Sequence, residues 1–112
     1  MTDAQILDRF REICGALPSA EEYIMVHHPA FRIAKKPFAI LNGPDGQLAI
    51  SVKVEKTVQA VFLKDPRFYR TPYIGQHGWV SLPVTANIDW EEVAELVQGS
   101  YRLTAPTHKT RK

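Results

Sequence analysis

The sequence predicts an α+β domain in which helices pack on one antiparallel sheet. The middle of the chain alternates apolar and polar residues between glycine- and proline-rich turns, whereas both ends and one internal segment repeat apolar residues at helical spacing. The 112 residues, 45% of them hydrophobic and 23% charged, suit one globular domain. We therefore expect about five to six strands packed by N-terminal, central and C-terminal helices in a single domain over residues 1–105, followed by a basic flexible tail over residues 106–112.

The first helix is predicted from about Asp3 to Ala16. Thr2 and Gln5 have the spacing of a capping box, and apolar residues then recur every three to four positions. Pro18 prevents the helix from continuing. The single cysteine, Cys14, lies on the apolar stripe, so we expect a buried and unreactive thiol; a lone cysteine also excludes an internal disulfide.

The stretch from residue 23 to residue 55 has the character of successive strands. Its clearest part is residues 48–55, where apolar residues alternate with small or polar ones as in a half-buried strand. Two turns divide the stretch: "NGPDG", whose glycines can take positive φ, and "AKKPF", which is tipped by Lys35 and Lys36. This pattern predicts an antiparallel meander with two lysines at one hairpin tip.

A central helix and a second hairpin are expected next. Apolar residues at helical spacing run from Val54 to Phe62, and Asp65 followed by proline ends the helix. The stretch "FYRTPYIGQHGWVSLPV" then predicts two short strands joined through "GQHG", with Gly75 and Gly78 framing the turn.

The last helix is predicted to begin after Asp89. Asp89 is a favourable N-cap residue, and Glu92 has the spacing for the reciprocal contact of a capping box. Apolar residues then recur as far as Tyr101. If both terminal helices pack on the sheet, four of their side chains should be buried: Phe10, Ile13, Val93 and Val97.

No metal or cofactor site is expected. The adjacent residues His27 and His28 would point to opposite faces of a strand, so we interpret them as partly exposed histidines at a strand end. Neither the phosphate-cradling P-loop pattern nor the dinucleotide-binding glycine pattern occurs in the sequence.

The segment "YIGQHGWVSL" allows two interpretations. His77 precedes Ser81 on what would be the same strand face, but no glycine-flanked serine elbow and no acidic partner for the histidine accompany them, so we expect no catalysis. Trp79 and Val80 are neighbours and should face opposite sides of the sheet, one toward the core and one toward a partner. We interpret Trp79 as largely structural, because an exposed tryptophan on a globular domain is uncommon.

Charge is distributed unevenly along the chain. Residues 30–80 are net positive, whereas residues 1–29 and 81–105 are net negative, within an overall charge of +2. Such asymmetry can steer a polyanion toward one surface. The sequence shows no apolar run long enough to span a bilayer and no signal peptide, which predicts a cytoplasmic protein with no membrane partner.

Several segments together resemble the MmcQ/YjbR family of small bacterial proteins. These segments are "LPSAEE", "FRIAKKPFAIL", "LAISVKV", "YRTPYIGQHGWVSL" and "ELVQGSYRLTA", and the resemblance runs from Ile6 to about Ala105. It implies an α+β sandwich similar to the type III secretion chaperones. It also implies DNA binding through a double-wing arrangement of hairpins.

The leading hypothesis is a DNA-binding domain without catalysis, whose basic hairpin wings contact the phosphate backbone of duplex DNA. The residues assigned to this role are Lys35, Lys36, Lys53, Arg70 and His77, with Tyr73 as a stacking surface. A second hypothesis is a protein-partner or small-ligand module that uses an exposed sheet face. A third is an enzyme built around His77. A continuous positive face would favour the first, an apolar groove the second, and a closed pocket containing His77 the third.

Overall fold

One six-stranded antiparallel sheet organises the protein. The computed structural model describes residues 1–43 and 46–106. Its elements are α1 (Asp3–Gly15), β1 (Glu21–Met25), β2 (His28–Ile33), β3 (Lys36–Asn42), β4 (Ala49–Lys53), α2 (Lys56–Leu63), β5 (Tyr69–Arg70), β6 (Trp79–Pro83) and α3 (Trp90–Thr104). The strand order is β1-β2-β3-β4-β6-β5. The α+β fold with a sheet of this size and three helices is confirmed. The centre of the "NGPDG" turn and the tail from residue 107 onward lie outside the described residues.

The N-terminal caps of α1 and α3 were predicted from the sequence. The Gln5 amide N–H donates to Thr2 Oγ1 at 3.1 Å, and the Thr2 amide donates to Gln5 Oε1 at 2.8 Å, so the α1 capping box is complete. Asp89 accepts from the first free amides of α3, as expected. The reciprocal contact expected of Glu92 is wrong, because its carboxylate instead receives two hydrogen bonds from Arg67, at 2.8 and 2.9 Å.

All three helices cover the same face of the sheet. Phe10 of α1 packs edge-on against Phe31 of β2, with ring centroids 5.6 Å apart. Val93 and Val97 of α3 are buried in the same core, whereas Ile13 is only partly buried. Within the described ranges, no helix combines the length and the apolar character needed to cross a bilayer.

Helix α2 departs from its prediction. It ends at Leu63, as its proline stop required, but none of its side chains is fully buried. Val61, placed on the predicted apolar face, is 63% exposed. The helix packs against β6 near the edge of the sheet, where less apolar surface is available to cover it.

Two hairpins are closed by two-residue turns with left-handed backbone. Ala34 and Lys35, at φ 51° and 68°, connect β2 to β3, which confirms the "AKKPF" turn. Val26 and His27, at φ 46° and 72°, connect β1 to β2 in the same way. The second turn was not predicted; like the first, it contains neither glycine nor asparagine, the residues that usually mark positive φ.

The expectation of a half-buried strand at residues 48–55 is wrong. Strand β4 lies between β3 and β6, and Ala49 and Ser51 on its polar side are fully buried. At β4, the sheet face opposite the helices is therefore also shielded from solvent.

Cys14 is buried, as predicted, and burial raises the pKa of its thiol far above its usual range, with a smaller contribution from Glu22. Since the thiolate is the reactive form, we expect negligible labelling of the native protein by an aromatic disulfide reagent at mildly alkaline pH and prompt labelling in denaturant. Stopped-flow absorbance would measure both rates. Labelling of the native protein as fast as that of the unfolded chain would contradict this burial.

Candidate nucleic-acid interface

The face that the helices leave uncovered, here called the open face, is built from one row of residues across all six strands. The row follows from the pairing register and consists of Tyr23, Ala30, Ile40, Ser51, Ser81 and Tyr69. Ala30, Ile40 and Trp79 form a second apolar cluster there, separate from the helix-side core. Trp79 is thus structural, as interpreted, and Val80 is buried on the helix side.

At the Tyr23 end of the row, the nearby charged side chains are paired. The Arg32 guanidinium lies over the Tyr23 ring at 4.7 Å from its centroid and pairs with Glu21. Burial raises the pKa of the Tyr23 phenol, and the nearby Arg32 charge opposes that shift. Tyr23 therefore stays neutral and acts as packing surface for the cluster.

Residues 71–78, here called the cover loop, fold over the open face between β5 and β6. Ile74 packs on the second cluster, and a 3₁₀ helix spans Gly75–His77. Gln59 of α2 anchors the loop by donating to the carbonyl oxygens of Gly75, at 2.7 Å, and Trp79, at 3.1 Å. The two strands predicted around "GQHG" do pair, but the connection is longer than the tight turn expected, and of the two glycines only Gly78 has positive φ.

The cations of the protein fall into two groups. Four arginines pair with acidic side chains: Arg9 with Glu12, Arg11 with Glu22, Arg32 with Glu21, and Arg67 with Asp65 and Glu92. Within residues 1–43 and 46–106, the other cations form no ion pair: Lys35, Lys36, Lys53, Lys56, Lys64, Arg70 and Arg102. Among the described residues, six of these seven unpaired cations thus lie between residues 35 and 70.

Three of the predicted site residues meet in one groove. Lys36, Lys53 and His77 line a depression of about 430 Å³, here called the cationic groove, together with Trp79 of the open face and with Leu103 and Thr104 at the C-terminal end of α3. The register that pairs Lys53 with Trp79 places the lysine beside the cover loop. Lys56 lines an adjoining depression with Lys53 and His77, where Glu55 adds one negative charge.

The other three predicted residues lie elsewhere. Lys35 occupies the β2–β3 turn and borders a separate depression near Tyr101. The Arg70 side chain lies along Gly75, where a Cβ would fall 2.3 Å from its Cγ. Tyr73 is 96% exposed at the rim of a second groove.

This second groove, here called the tyrosine groove, has a volume of about 520 Å³. Its walls come from both edges of the sheet, with Met25 and His28 on one side and Tyr69 and Tyr73 on the other. Because β1 and β5 are the outermost strands, the sheet must curve around the groove. Sequence reasoning did not identify it, since no local pattern reveals which residues a curved sheet brings together.

A chain of hydroxyl groups lies beneath the tyrosine groove. Thr71 Oγ1 is 2.8 Å from Ser81 Oγ, which is 2.7 Å from Ser51 Oγ, and Ser51 donates to Asn42 Oδ1 at 2.8 Å. Thr71 and Asn42, the two ends of the chain, line the groove. The only sign of this hydroxyl chain in the sequence was one serine within each of two predicted strands, Ser51 and Ser81.

The hydrogen bonds of Ser81 bear on the enzyme hypothesis. The Ser81 hydroxyl bonds to Thr71 and Ser51, and not to His77, so the pairing considered for an enzyme does not form. Across the described ranges, no three side chains of His, Cys, Asp or Glu are grouped closely enough to hold a metal ion.

Comparisons with known proteins agree with the fold. A family model described as YjbR matches residues 15–103. No curated protein matches the sequence. The crystal structure of the Deinococcus radiodurans protein DR2400, with a DUF419 domain, is similar at TM-score 0.74 and 20% identity over 87% of this chain and 76% of that one. A crystal structure of a Pseudomonas syringae protein is similar at TM-score 0.69 and 18% identity, covering 93% and 99% of the two chains. A solution structure of the same structural-genomics target gives TM-score 0.66 and 19% identity, with 96% of each chain covered.

Proposed function

The chain belongs to the YjbR family, and on this premise we propose that it binds DNA through phosphate contacts in the cationic groove, without catalysing a reaction. The observation that supports this proposal is the convergence of two unpaired lysines and a histidine. Lys36 and Lys53 come from different strands and His77 from the cover loop, yet all three line one depression. We also propose a cytoplasmic location, because DNA is accessible there and Cys14 would stay reduced.

The residue types suit contacts to the DNA backbone. Lysine is a mobile point charge that neutralises phosphate without a fixed geometry, so it contributes affinity more than sequence readout. Lys36 of the β2–β3 hairpin and His77 of the cover loop both line the cationic groove, so we assign these two segments as the two wings. Arg70 supports the second wing through its packing along Gly75.

One observation favours a second candidate, a small-ligand or protein-partner module. The tyrosine groove is concave, mostly apolar and within the size range of ligand sites, about 300–1,000 Å³. Binding of a neutral partner in this groove, which has no charged lining residue among those described, should depend little on salt, whereas DNA binding should weaken as salt rises. Salt dependence therefore separates the two candidates.

For duplex DNA, we expect the logarithm of the binding constant to fall with the logarithm of salt concentration at a slope of about −3 to −4.5, as for ~3–5 phosphate contacts. Combined replacement of Lys36 and Lys53 by Ala should flatten this slope by about 2, because each phosphate that loses its lysine contact keeps its counterion on binding. Fluorescence anisotropy over a salt series measures the slope.

The matched control is Lys64→Ala, which removes an unpaired lysine remote from the cationic groove and should leave the slope unchanged. A second control truncates the chain after Ala105, since Lys109, Arg111 and Lys112 of the tail attract any polyanion. If truncation abolishes binding and the double lysine replacement has no effect, the cationic groove is not the site.

A further inference from the structure

We propose that the tyrosine groove holds an unstacked base of single-stranded DNA while the adjacent phosphates occupy the cationic groove. The inference rests on the proposed function and goes beyond it, because it predicts preference for a single strand over a duplex. Its basis is the arrangement of the two grooves, the position of Tyr73 and the polarity of the buried hydroxyl chain.

The two grooves are contiguous. Met25 of β1 and Ile74 of the cover loop line both, so these two side chains form the divide between them. A ligand that crosses this divide meets lysines on one side and aromatic and apolar walls on the other. A single strand has this alternation of phosphate and exposed flat base, whereas a duplex keeps its bases stacked in its interior.

Tyr73 provides a platform at the rim. Its side chain is 96% exposed, and its backbone is held in the left-handed region at φ 69°. An exposed aromatic side chain on a strained backbone is unfavourable for stability alone, and such strain is often found where a residue serves a binding role. With Tyr69 and His28 also lining the groove, a base entering it meets rings on both walls.

The hydroxyl chain beneath the groove has a fixed polarity. A hydroxyl group has one proton, and Ser51 donates its proton to Asn42 Oδ1. Ser81 must then donate to Ser51, and Thr71 to Ser81, to satisfy the two short contacts. With respect to the residues that the structure describes, the Asn42 amide NH₂ is left as a donor and the Thr71 oxygen as an acceptor, one at each end of the chain.

Such a donor and acceptor match the edge of a nucleobase, because every base carries both kinds of group. Among the described residues that line the groove, none is Asp, Glu, Lys or Arg. The groove therefore suits a neutral, flat group with polar edges better than a phosphate or another charged ligand.

The test compares an oligothymidylate of about 12 nucleotides with a G·C-rich duplex of about 12 base pairs at the same salt concentration. The single strand should bind the full-length protein about 5- to 150-fold more tightly, the range for stacking one base on an aromatic side chain. Tyr73→Ala should remove that difference and leave duplex affinity within about twofold. The control Val61→Ala removes another exposed apolar side chain, on α2, and should change neither affinity.

Amide NMR spectra give an independent measurement. Titration with the oligothymidylate should shift the signals of Asn42, Thr71 and their neighbours as well as those around Lys36 and Lys53, whereas the duplex should shift only those around the two lysines. Equal affinities for the two probes, or an unchanged preference in Tyr73→Ala, would overturn the base-binding inference and leave DNA binding intact. Failure of both probes to bind would overturn the proposed function and this inference with it.

Discussion

Replacing Ser100 by Ala is expected to lower the free energy of unfolding by about 2–4 kcal/mol, because it leaves two backbone groups of the sheet without a partner. The Ser100 hydroxyl donates to the Phe38 carbonyl oxygen at 2.6 Å and accepts from the Lys53 amide at 2.9 Å. One side chain of α3 therefore satisfies a carbonyl of β3 and an amide of β4.

The register explains why this serine matters. Ala39 pairs with Val52, so the next antiparallel position would place Phe38 opposite Lys53. The hydroxyl lies between those two residues and takes the place of a bond in the ladder. The residue before Phe38 is Pro37, which has no amide hydrogen, and the β2–β3 register also shifts nearby.

The neighbouring residue is the matched control. Gly99 is helical, and a Cβ added there would meet nothing within 4 Å. Gly99→Ala should raise the free energy of unfolding by about 0.5–1 kcal/mol, since alanine loses less backbone entropy in a helix. Urea unfolding followed by circular dichroism measures both changes. Equal stability of Ser100→Ala and wild type would contradict this role of the hydroxyl.

The second large effect is expected at Gly78, where Ala should cost at least about 3 kcal/mol. Gly78 has φ 97°, and an added Cβ would lie 2.4 Å from the Val54 carbonyl oxygen. The backbone cannot simply move away, because the Val54 amide donates to the Gly78 carbonyl oxygen at 2.9 Å. We expect Gly78→Ala to distort the cover loop and weaken binding in both grooves.

Comparison of Gly75→Ala with Gly78→Ala distinguishes crowding against a side chain from crowding against the backbone. The Cβ at this position would approach the Arg70 side chain, which can rotate to another conformation, and Gly75 has no positive φ. A loss of only about 1 kcal/mol is expected. Thermal unfolding of both variants provides the comparison; a Gly75→Ala protein less stable than Gly78→Ala would contradict the assignment of strain to Gly78.

The fold was predictable because its signals are local. The Thr2–Gln5 capping box, the Asp89 cap and the proline after α1 each act within a few residues, and the structure has them where expected. The failures have a local reason too. The β1–β2 turn is formed by Val26 and His27, residues that ordinarily avoid positive φ, so no glycine or asparagine marks it.

The candidate site was predictable only in part because it depends on register and curvature. Lys36, Lys53 and His77 were selected for their charge, yet what brings them together is the pairing of β4 with β6 and the path of the cover loop. The tyrosine groove joins opposite edges of the sheet, and the role of Ser51 depends on its neighbour across the β4–β6 pair. Relations of this kind arise from tertiary structure and leave no spacing signature.

The contacts of α3 also have a consequence for synthesis of the chain. Ser100 reaches back 62 residues to Phe38, and the Tyr101 hydroxyl reaches back 83 residues to the Pro18 carbonyl oxygen. At ribosomal rates of about 5–20 residues per second, roughly 3–12 seconds separate the appearance of Phe38 from that of Ser100. During that interval the emerging meander exposes the apolar face that α3 will cover. Nascent chains of this protein should therefore be substrates for chaperones at the ribosome until α3 docks.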